Sequence, residues 1–68
     1  MPIRYGVIDK YKQDGQLTFA ARGVAAVLYK RPGLTFDDLK KCSNDDLTTI
    51  RKAIFELRCR GYLFRYRG

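Results

Sequence analysis

Residues 35 to 67 carry four successive boundary signals, and these restrict the possible folds more than any other feature of the chain. Thr35 followed by Asp38 has the form of a capping box with Asp in place of the usual Glu, and Leu34 stands where a hydrophobic staple would sit. That spacing predicts a short helix, about Phe36 to Cys42, with Leu39 and Cys42 turned inward and Lys40 and Lys41 outward. "CSND" then breaks the pattern, and Asn44 is a residue type that enters the left-handed region with little strain, so a tight turn is expected. A longer helix follows, about Asp46 to Arg60, with Asp45 or Asp46 at the positive end of its dipole and Gly61 as its stop. Its apolar stripe is Ile50, Ala53, Ile54 and Leu57. Thr48, Lys52, Phe55 and Cys59 lie opposite, with Thr49 and Arg51 at the margins. Beyond Gly61, "YLFRYR" alternates with period two: Leu63, Arg65 and Arg67 on one side, Tyr62, Phe64 and Tyr66 on the other. That predicts a strand.

The first half of the chain supplies what these elements need to pack on. "IRYGVI" at 3 to 8 reads as a short strand and "KQDGQ" at 12 to 16 as a turn. Thr18 is placed to cap a helix whose inward face is Ala20, Ala21, Val24, Val27 and Leu28, ended by "RPG" at 31 to 33. Arg22, Tyr29 and Lys30 fall outside that face and are expected in solvent. Gly23 costs about 1 kcal/mol against Ala within a helix, which predicts a close neighbour at that point. The final strand has a mate in the first one, with Ile3 and Val7 packed against the helices. The expected architecture is one α+β domain over residues 1–68: three helices and a short β-ribbon formed by the chain ends. A chain of this length buries only about 60% of its unfolded surface, so two layers are the realistic limit.

Charge narrows the function. There are 14 basic and 7 acidic side chains, a net +7. Residues 51 to 68 hold Arg51, Lys52, Arg58, Arg60, Arg65 and Arg67 against Glu56 alone, a net +5, while residues 1 to 50 carry eight basic and six acidic groups. Such a field attracts polyanions. The first residues lack the apolar run of a signal peptide, and no stretch is apolar for long enough to span a bilayer, so a soluble cytoplasmic protein without a membrane partner is expected. Cys42 and Cys59 have no histidine to join them as metal ligands, so neither a metal nor another cofactor is expected. Catalysis is not expected either: histidine is absent, Glu56 is the only Glu, and the paired aspartates stand at helix starts where capping accounts for them.

A short helix, a tight turn and a longer helix with a polar and basic outer face form a helix-turn-helix pattern, and the strand after Gly61 begins a wing. In that motif the second helix enters the major groove, which would put Thr48, Thr49, Arg51 and Lys52 against base edges. Lys40 and Lys41 would lie near the DNA backbone, and Arg58, Arg65 and Arg67 would meet phosphates or the minor groove. "LTFAARGVAAVLYKRP" followed by "FDDLKKCSNDDLTTIRKAIFELRCRGYL" resembles the winged-helix domain at the N-terminus of phage and plasmid replication initiators and replisome organisers, and many small phage helix-turn-helix proteins. Leu17, Phe19, Ala21, Arg22, Gly23, Leu39, Ile50, Arg51, Leu57, Gly61, Tyr62 and Leu63 carry the resemblance, which covers roughly residues 17 to 65.

The resemblance implies a part in phage or plasmid replication initiation or transcriptional regulation, in the cytoplasm of a bacterial host. The leading expectation is double-stranded DNA binding, and because one module of this size reads few base pairs, a homodimer on an inverted repeat is a natural companion. Two departures stand out. The family continues through a loop into a second wing strand, whereas "YRG" ends this sequence, which leaves a one-strand wing or a piece of a longer protein. Phe55 stands where the family commonly has a polar residue. Phe55 and Cys59 have three uses open to them: packing beneath Tyr5, Val7, Ile8 and Tyr11, an interface with a second copy or a host or replication protein, or contact with DNA. A buried Phe55 favours DNA binding by a polar third helix. An exposed one favours the rival reading, a protein-interaction module such as a phage-encoded inhibitor or adaptor of a host protein.

Overall fold

A computed structural model describes residues 2–43 and 46–67. In chain order they form β1 (Ile3–Val7), a 3-10 turn (Asp9–Gln13), α1 (Phe19–Lys30), β2 (Leu34–Thr35), α2 (Phe36–Cys42), α3 (Leu47–Cys59) and β3 (Leu63–Arg67). The architecture is α+β, and the strands at the two chain ends pair antiparallel from Ile3 opposite Arg67 to Val7 opposite Leu63. The sheet has three strands, not two, in the order β2-β1-β3. β2 was not expected because two residues, Leu34 and Thr35, leave no periodicity to read. The strand that flanks β3 therefore comes from the front of the chain.

Each helix begins where its cap dictates. Thr18 Oγ1 accepts from the Ala21 N–H, the Thr35–Asp38 capping box is closed in both directions, and Asp46 accepts from the Thr49 N–H at 2.9 Å. Each acceptor satisfies a donor that a helix start would otherwise leave open. Gly61, at φ 80°, ends α3 in the left-handed region, and Gly61 and Tyr62 return their N–H groups to the Arg58 and Leu57 carbonyls. This reversal lays β3 back over the layer it came from. Asn44 and Asp45, expected in the turn before α3, lie outside the described residues.

The core is Leu28, Leu39, Ile50 and Leu57, with Ala21 and Ala25 letting α1 approach α3, and Val7 and Leu63 closing it from the sheet. Ile54 is half-buried beside them. Four positions depart from expectation. Cys42 is exposed, because α2 ends there and its partner, Arg31, is itself at the surface. Gly23 is exposed, and a Cβ added there would meet nothing within 4 Å, so no close neighbour explains it. Arg22 is half-buried and donates to the Asp14 carbonyl at 2.6 Å. Ile3 is 44% exposed, since the strand pair runs past the end of the helical layer, and only Val7 packs as expected. The real close approach is at Gly6, where a Cβ would run into the Phe64 ring that lies across it. Among the described residues no helix is long and apolar enough to cross a membrane.

Candidate nucleic-acid interface

α3 is amphipathic, so burying Ile50, Ala53 and Leu57 turns the opposite stripe outward. Thr48, Arg51, Lys52, Arg58 and Cys59 are all exposed. Phe55 stands in their midst and is 65% exposed. Of the three uses left open for Phe55 and Cys59, packing beneath the N-terminal segment is thus excluded: β1 is held by β3 and reaches only to the flank of the ring. Thr49 is half-buried, which leaves its side chain a poorer candidate for base contact than the exposed Thr48, and its N–H serves the Asp46 cap.

Two shallow hollows share Phe55. One is lined by Arg51, Lys52, Phe55, Glu56, Cys59 and Arg60. The other lies between α3 and the sheet and is lined by Tyr5, Phe36, Arg51, Ile54, Phe55 and Arg58. Arg51 is drawn to its place by the Phe36 ring, 5.9 Å from the guanidinium carbon to the ring centroid. Tyr5 extends this second hollow onto the sheet: Arg65 is its direct partner in β3, so the two side chains share one face. Arg67 lies two residues further on and lines a third hollow with Ile3, Arg65 and Tyr66. Arg51, Arg58, Arg65 and Arg67 therefore follow one path from α3 to the end of the sheet, with Lys52 across Phe55 from them. Among the described residues none of the five joins an ion pair. Tyr5 and Phe36 were not legible as parts of this surface, because their place in it depends on the β1 register and on the α2 start.

The remaining expected cations are divided. Lys40 and Lys41 are exposed in the last turn of α2, and Lys40 sits 3.7 Å from Asp37, a surface contact of little strength. Arg60 is structural: it donates to Asp14 at 2.8 Å and to Gln16 at 3.3 Å. The Tyr62 hydroxyl donates to the same Asp14 oxygen, and the Gln16 N–H to the other. That Gln16 bond, then Tyr62 and Arg60, outweigh desolvation and hold the Asp14 carboxyl below its ordinary range. Asp46 is lowered too, chiefly by hydrogen bonding from Thr49 and least by the nearby Lys52.

The helices, the sheet and this face define a small α+β domain presenting a cationic helix beside a cationic strand end. No family model matches the chain, and neither the curated proteins nor the solved structures searched contain a match.

Proposed function

We propose that this domain is a winged helix-turn-helix that binds double-stranded DNA, with α3 in the major groove and β3 along the phosphates. The observation that carries this is the path of Arg51, Arg58, Arg65 and Arg67, with Lys52 beside it: five cations on one side of a small domain, none of them spent on a carboxylate among the described residues. Phosphate contacts set affinity and register, while Thr48 and Lys52 are the exposed side chains placed for base edges. Lys40 and Lys41, at the end of α2, face the backbone as the first helix of the motif crosses it. A cytoplasmic role in phage or plasmid replication initiation or transcriptional regulation is the setting the family resemblance suggests, with a homodimer on an inverted repeat extending a short footprint.

The test is a fluorescence titration with a selected duplex and a random one. Lys52→Ala is expected to weaken the selected duplex by about 1 to 3 kcal/mol and the random one by less, with the melting temperature unchanged. Equal weakening of both removes Lys52 from base reading.

The exposed Phe55 favours a second reading, in which the same face is a hot spot for a host or replication protein. Aromatic residues ringed by arginine mark such sites, and truncating the ring would then abolish one tight complex while leaving duplex affinity untouched.

A further inference from the structure

We propose that Phe55 is a specificity residue that reads thymine, its ring packing on thymine C5-methyl groups on the floor of the major groove. The inference rests on the DNA-binding reading above, and it follows from the ring's position. Phe55 is bracketed by Arg51 one turn before it, Arg58 one turn after it and Lys52 beside it, so any duplex that these three engage is drawn onto the ring. Among the described residues no other element covers it: at 65% exposure, the ring is the most accessible large apolar side chain on α3.

The major groove offers such a ring little. Base edges there are hydrogen-bond donors and acceptors, and covering them with a phenyl group that returns no hydrogen bond is unfavourable. The thymine methyl is the one apolar group on the groove floor of an ordinary duplex. A helix with Phe55 at its centre is therefore compatible with thymine under the ring and penalised by guanine or cytosine in the same place. The surrounding cations add affinity without preference where they meet phosphate, so the base choice at this position falls to the ring.

The methyl can be removed from the DNA without altering its charge or its pairing. Wild type and Phe55→Ala are titrated with a duplex of alternating adenine and thymine and with the same duplex carrying uracil for every thymine, at one salt concentration. Wild type is expected to prefer the thymine duplex by about fourfold, the value of one buried methyl group. Phe55→Ala is expected to bind both alike, and Phe55→Leu to keep part of the preference. Because the ring is exposed, all three proteins should melt together, which separates a lost contact from a lost fold. Phe55→Ala retaining the wild-type ratio, or wild type binding both duplexes equally, overturns the inference and leaves the DNA-binding reading standing. Binding of neither duplex at low salt overturns that reading and the inference with it.

Discussion

Glu56 shows how much one side chain does in so small a fold. It is the only glutamate in the chain, and both of its carboxylate oxygens are spent on Thr18: Oε2 accepts from the backbone N–H at 3.0 Å and Oε1 from the hydroxyl at 3.1 Å. The same hydroxyl oxygen accepts from the Ala21 N–H, so Glu56 of α3 fixes the cap of α1. Glu56→Ala is expected to destabilise the domain by about 1 kcal/mol, below the roughly 1.5 to 3 kcal/mol of charged hydrogen bonds because the pair is solvent-accessible, and Thr18→Ala should add little on top of it. Chemical denaturation of both single variants and the double variant measures the coupling, and simple additivity would show that the clamp is idle. The same reasoning distinguishes Arg60 from Arg58. One arginine is tied to Asp14 and the other is free to meet an anion, a distinction that spacing along α3 does not reveal because Asp14 lies 46 residues away.

The elements depend on their aspartates, and this makes the fold sensitive to acid in a defined way. Asp14, Asp38 and Asp46 are all held below the ordinary 3.8, respectively by the Gln16 N–H, by hydrogen bonds from Thr35 and by hydrogen bonding from Thr49. A carboxyl lowered on folding contributes stability that is fully present above its unfolded value and is lost as pH falls through the folded one. The midpoint of denaturation should therefore be flat from neutrality to about pH 5 and fall steeply below about pH 4, and Asp46→Asn should flatten that fall. Unchanged acid dependence in this variant would mean that ionisation of Asp46 contributes nothing to the cap's stability. These helix starts were legible from the residues alone, since a cap is a local device: Phe36–Cys42 came out at both ends as expected, and α3 within one residue at each. The third strand was not, because it exists only through pairing with β1, and neither was the exposure of Cys42, because period alone cannot say whether anything packs against the last turn. The basic face was legible as charge, and its run from α3 onto β3 was expected from the reversal at Gly61, but the place of Tyr5 in it was not, since that depends on Tyr5 and Arg65 standing opposite each other.

At the scale of the molecule, β1 does two jobs. It is the middle strand of the sheet, and it supplies Val7 to the core and Tyr5 to the bridge between α3 and Arg65. Deleting residues 1–8 leaves β2 and β3 without a neighbour and uncovers the core, so a loss of roughly 3 kcal/mol or more is expected, enough to abolish cooperative melting of a domain this small. Unaltered melting would show that β1 is dispensable. The central claim is that α3 and β3 present one polyanion-binding face, and counterion release measures it most directly. If Arg51, Arg58, Arg65 and Arg67 meet phosphates while Lys52 reads a base, log K for duplex DNA falls against log salt with a slope of about −4 per monomer, and replacing Arg65 and Arg67 together by alanine makes it shallower by about 2 on every sequence. A slope near zero, or one that the double replacement leaves unchanged, would contradict the claim.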